Sequence, residues 1–125
     1  MWRNQKGQTL PLAVLFLLVL LAAVALVIDG GFAYAQRRHM QNAADSGVLA
    51  GAITIAKGEY RDAVVRQVVN QYAQANGATS SQLTYLDANG DPLPDPTNGL
   101  VPGATASLRV RAQRTFPTYF AGLVG

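Results

Sequence analysis

The sequence predicts an α+β protein: a long N-terminal helix continuing into a small domain with a second helix and a small antiparallel sheet. Three observations point there. Residues Gly7 to Ile28 run without one charged side chain. The alanine-rich stretch that follows keeps its small and apolar residues at helical spacing. Beyond Asn76-Gly77 the apolar period changes to the alternation of a strand. Helices followed by strands, in that order, give an α+β arrangement.

The first element is the apolar run GQTLPLAVLFLLVLLAAVALVI, with Arg3 and Lys6 before it and Asp29 after it. A helix needs roughly 20 apolar residues to cross the ~30 Å hydrocarbon core. In lipid its backbone must be satisfied internally, so such a segment crosses as a helix. Leu10, Leu15, Leu18, Leu21, Val24 and Ile28 are therefore expected to face lipid or like helices. Thr9 suits the N-cap, and Pro11 falls in the first turn, where a missing N–H costs little. A cleaved secretory signal is the rival reading, with Ala33-Tyr34-Ala35 as a small-x-small site. A signal's apolar core, however, is ~7–15 residues long, and Asp29-Gly30-Gly31 intervenes here. Residues 1–28 thus read as a basic tail and membrane or assembly helix, and residues 29–125 as a small domain beyond it.

The helical pattern continues to about Ala56, with Gly30-Gly31 the expected place for a bend. Ala33, Met40, Ala44, Gly47, Gly51 and Ile55 trace one face. Ala43, Gly47 and Gly51 are four apart and would let another backbone approach closely. They serve either the domain's own packing or a helix contact between subunits. After Lys57-Gly58, a second helix is expected over Glu59 to Ala75. Tyr60, Val64, Val68 and Tyr72 form its apolar stripe, and Asn76-Gly77 its left-handed stop. Gln82 to Leu86 reads as a strand and Asp87 to Asp91 as a turn. Pro92, Pro94 and Pro96 exclude helix and central strand. In Ala106 to Gln113, Leu108, Val110 and Ala112 alternate with Arg109, Arg111 and Gln113, as in a strand with one wet face. Two strands leave an open edge that invites a further strand, from another subunit or from residues beyond Gly125. The terminal TFPTYFAGLVG is apolar and reads as a short helix or docking segment.

Charge and composition exclude several classes. After Ile28, eight basic residues stand against seven acidic ones. That balance argues against nucleic-acid binding, which concentrates positive charge on one face. Without cysteine there is neither a disulfide nor thiol chemistry. His39 is the sole histidine, beside Arg37 and Arg38, with no orienting acid or metal partner at a readable spacing. Asp45 likewise has no second acid. Asp87, Asn89 and Asp91 place oxygens at i, i+2 and i+4, as calcium loops do. Yet Pro92 and Asn98 stand where an EF-hand has glycine and glutamate, and Asn-Gly is a hairpin turn in its own right. The expectation is a protein without catalysis, cofactor or metal, the Asp87–Asp91 loop being the one calcium candidate.

The segment Lys6 to Ala52 resembles the N-terminal module of TadE/TadG-like proteins of tight-adherence (Flp-type) pilus systems. The matching positions are Gly7, Asp29, Arg37, Arg38, Gln41, Asn42, Ala43, Ala44, Asp45 and Ala50 to Ala52. Phe116 to Phe120, after the second strand, resembles the family more loosely. The resemblance implies a bacterial envelope protein with a cytoplasmic N-terminus and a pilin-like fold, which would make the domain of residues 29–125 extracytoplasmic. Its partners would be membrane lipid and other pilus or pilus-assembly subunits, with a homo-oligomer or filament as a further state. Its role would be that of a minor pilin-like assembly component, with a polymerised pilin or a tethered or secreted binding module as alternatives. Gly7 stands where pilins are processed, although Leu12 occupies the fifth following position, where type IV pilins usually carry glutamate.

Overall fold

The computed structural model describes residues 9–115. Four elements appear in chain order: α1 (Thr9–Ala56), α2 (Asp62–Ala75), β1 (Ser80–Leu86) and β2 (Ser107–Gln113). This is the α+β arrangement read from the sequence. The chain divides into two compact units, Met1–Arg37 and Arg38–Gly125.

In the first unit the described residues form one continuous helical segment. It passes through Gly30 and Gly31, and neither adopts a positive φ. The expected bend does not interrupt the helix. Each glycine costs about 1 kcal/mol of propensity relative to alanine, and the leucine- and alanine-rich flanks offset that locally. No described residue of this unit is buried.

The second unit is built on α2. Its core joins Val65 and Val69 to Leu83, Tyr85 and Val110, with a smaller cluster of Ala43, Ala73 and Ala78 beside it. β1 and β2 pair antiparallel, placing Leu83 opposite Val110 and Tyr85 opposite Leu108. The side-chain period of two then turns Leu108, Val110 and Ala112 inward and leaves Arg109 and Arg111 exposed. The alternation expected for this strand is the one observed.

Both helices end through glycine. Gly58 (φ +90°) donates to Ile55 O while Glu59 N donates to Thr54 O. Gly77 (φ +93°) donates to Gln74 O while Ala78 N donates to Ala73 O. These are Schellman pairs, in which glycine supplies a left-handed backbone and the last carbonyls find donors.

Two expectations for α2 need correcting. The helix begins at Asp62 rather than Glu59, because Tyr60 and Arg61 are extended and pair with the 99–101 segment. Val101 N donates to Tyr60 O, Asp62 N donates to Gly99 O, and Arg61 bridges Leu100. The buried stripe is Val65, Val69 and Ala73, while Tyr72 lies half exposed. The doublets Val64-Val65 and Val68-Val69 offered two stripes one residue apart. The sheet on one side and Gly47 and Gly51 of α1 on the other, by accepting the second of each doublet, select between them.

Candidate assembly surfaces

The first surface is the apolar half of α1. Leu10, Leu15, Leu18, Leu21, Val24 and Ile28 are all exposed, from 46% at Val24 to 73% at Leu10. The best 18-residue window has a mean hydropathy of 3.1, so α1 is long and apolar enough to cross a membrane. Burying a large aliphatic side chain is worth about 1.5–3 kcal/mol, so this surface left in water would cost on the order of tens of kcal/mol. A helix apolar on every side is one that lipid or other protein covers. Gly7 lies outside the described residues, as do Arg3, Lys6 and residues 116–125.

The second surface is the small-residue face. Ala43, Gly47 and Gly51 are buried. A Cβ on Gly47 would sit 3.2 Å from Val69 O and 3.4 Å from Val110 Cγ1, and one on Gly51 would sit 2.7 Å from Val69 Cγ2. The close approach is therefore made to α2 and β2 of the same domain, which takes these glycines out of any contact between subunits. Ala44 and Met40 are half-buried beside them, and Ala33 is exposed. The face narrows where the domain ends.

Next to it lies a surface that sequence reasoning missed. Leu49 and Ile53 of α1, one turn apart, stand exposed across from Val68 and Tyr72 of α2. Together with Ser46, Ala50, Thr54 and Lys57 they line a shallow groove of about 340 Å³. The signal was present in the sequence. Val68 and Tyr72 share helical spacing with one another, as Leu49 and Ile53 do, so each helix carries an apolar pair beside its buried stripe.

The polar groups are spent largely on holding the domain together. Arg66 is the hub: Nε donates to both oxygens of Asp62 at 2.8 and 2.9 Å, and Nη2 donates to Asp95 at 2.8 Å. Nη1 donates to Leu83 O at 3.2 Å, and the guanidinium lies 5.6 Å from the centre of the Tyr85 ring. Burial pulls Arg66 toward deprotonation, but the bonds to Asp62 and Asp95 outweigh it and hold the group charged. Tyr85 Oη donates to Asp62 at 2.7 Å. Burial, and then the bond to Asp62, push that phenol well above its ordinary value. One arginine thus ties helix, strand and the 92–96 loop across the edge of the core. In the linker, Glu59 accepts from Arg61 Nε at 2.9 Å and from Arg61 N at 3.0 Å. These bonds hold the Glu59 carboxyl down at about 2.

Asp87 organises the loop after β1. Its Oδ1 accepts from Asn89 N at 2.8 Å and Asp91 N at 2.9 Å, and Asp87 N donates to Asp91 O. This is the turn read from the sequence, with Gly90 in the left-handed region. The oxygen that calcium would take is here an acceptor for the loop's own backbone. Among the described residues no group of three or more His, Asp or Glu side chains converges. His39 and Asp45 are exposed.

No curated protein and no solved structure matches this chain. A family model does, and it covers most of α1: residues 7–54 match Tad, described as putative Flp pilus-assembly TadE/G-like.

Proposed function

We propose that the chain is a non-catalytic structural subunit of a Tad/Flp-type pilus or of its assembly apparatus, minor pilin-like, held in the inner membrane by the first half of α1. The observation that carries this is a coincidence of positions. The exposed apolar stretch of α1 lies within the segment, residues 7–54, that matches a pilus-assembly family. The domain, residues 38–115, is then the extracytoplasmic part that meets other pilus subunits. A non-enzymatic role is favoured by how the polar groups are used: Arg66, Asp62, Tyr85 and Asp87 are committed to one another or to backbone, and His39 stands exposed among basic residues.

Deleting the protein in its native cell and complementing it in trans tests the reading. Surface pili should disappear on deletion and return on complementation, with the protein in the inner-membrane fraction. Recovery along the length of sheared filaments would favour a polymerised pilin over an assembly subunit. Unchanged piliation, with the protein in the culture fluid, would refute both and favour a secreted binding module.

A further inference from the structure

We propose that the outer face of the β1–β2 sheet receives the acidic Asp87–Asp95 loop of a second copy of this chain, head to tail. This rests on the structural-subunit reading above and names one of its contacts.

The sheet has one covered face and one open face. Leu83, Tyr85 and Val110 point into the core. On the opposite side the register sets Gln82 across from Arg111, Thr84 across from Arg109 and Ser80 across from Gln113. Arg109, Arg111 and Arg114 are exposed, and among the described residues none makes an ion pair or a side-chain hydrogen bond. Ser80, Ser81, Gln82, Arg111 and Gln113 line a shallow pocket of about 270 Å³. The Ser81 hydroxyl already donates to Asn70 Oδ1 at 3.1 Å, but the Ser80 hydroxyl, the Gln82 and Gln113 amides and the Arg111 guanidinium remain a set rich in donors and suited to a carboxylate.

The complement lies on the same chain. Between Arg66 and Arg109 the sequence has no lysine or arginine, while Asp87, Asp91 and Asp95 all fall there. The loop that carries them leaves β1 at Leu86 and is fixed by the Asp87 turn and by Leu93 N donating to Tyr85 O. Such a loop binds with little ordering cost. Asp91 is exposed, and its carboxylate has no partner among the described residues. Asp95 is 87% exposed even while it meets Arg66. No ion pair joins this loop to β2 within the copy. Two different, mutually complementary patches on one molecule make a heterologous contact, and a heterologous contact that does not close on itself propagates as a chain of subunits. Anionic lipid headgroups are the other class of surface that would seek these arginines. They leave the acidic loop without a role, and the second copy accounts for both patches.

The chain has no cysteine, so introduced thiols report one contact at a time. Full-length protein carrying Gln113→Cys, mixed in detergent micelles with protein carrying Ala88→Cys, should give disulfide-linked dimers on oxidation. Either variant alone should stay monomeric, and the double variant should give a ladder of multimers. The ladder should vanish in about 1 M salt, where the Debye length falls to about 3 Å. Arg109→Glu with Arg111→Glu should abolish it, and adding Asp91→Arg should restore part of it. Because all three positions are exposed, a circular dichroism spectrum matching the parent's confirms that the variants fold. Three outcomes overturn the proposal: Gln113→Cys cross-linking to itself as well as to Ala88→Cys, a ladder indifferent to charge reversal, or no ladder, in which case arginine-dependent binding to vesicles of anionic phospholipid would assign the arginines to lipid instead. Normal piliation by the charge-reversed variant would also overturn this contact, while leaving the subunit role intact.

Discussion

Replacing Gly51 by alanine tests whether the α1 face is packed as tightly as its geometry indicates. The added Cβ would lie 2.7 Å from Val69 Cγ2 and 3.2 Å from Leu108 Cδ1. Val69 is only 1% exposed and β-branched, so it cannot swing aside as a long side chain would. Overpacking of this kind costs about 1–3 kcal/mol, against which the helix gains about 1 kcal/mol from losing a glycine. The net expectation is a loss of up to about 2 kcal/mol. For a domain of this size, each kcal/mol lowers the melting temperature by roughly 4–8 °C. Gly30→Ala is the control, since nothing lies within 4 Å of a Cβ there; it takes the helical gain alone. Thermal or urea unfolding of the full chain in detergent, followed by circular dichroism, measures both. Adding Val69→Ala supplies room, so Gly51→Ala should cost less in that background, with a coupling of about 1 kcal/mol. The packing argument fails if Gly51→Ala matches Gly30→Ala, or if the two changes at Gly51 and Val69 simply add.

Three further outcomes are expected. Arg66→Ala should destabilise the domain by about 2–3 kcal/mol in urea unfolding, because it removes the charged partner of Asp62, which keeps only Tyr85 Oη, and the side-chain donor to Leu83 O. Asp95→Ala should cost under about 1 kcal/mol, because that partner is largely in water. The Glu59 carboxyl is held at about 2 in the folded chain, below its unfolded value near 4.5. Its contribution is therefore complete above pH ~4.5 and is lost as pH falls toward ~2, so Glu59→Gln should flatten the pH dependence of unfolding in that window and leave it unchanged near pH 7. Leu18→Arg places a charge near the centre of the apolar run at about 2.5–3.5 kcal/mol of insertion cost, and should shift the protein out of the membrane fraction on carbonate washing.

Much of this architecture was legible in the chain before folding. The apolar run, the glycine stops at Gly58 and Gly77, the Asp87 turn and the inward set Leu108, Val110 and Ala112 follow from local rules. Length, backbone freedom and side-chain period are properties of a segment by itself. The sequence also carried, in Lys6 to Ala52, the pattern that the pilus-assembly family model matches. What it could not settle was whatever depends on a distant neighbour. Val64-Val65 and Val68-Val69 leave the phase of α2 open until Leu83, Tyr85 and Val110 take one stripe and leave Tyr72 outside. Glu59 to Arg61 have the composition of a helix start, yet hydrogen bonds to residues about forty positions away hold them extended. Gly47 and Gly51 announce a close approach without naming what approaches. Tertiary structure decided that it is Val69 and Val110 of the same domain, because a missing side chain specifies a distance, and only the fold supplies the partner at that distance.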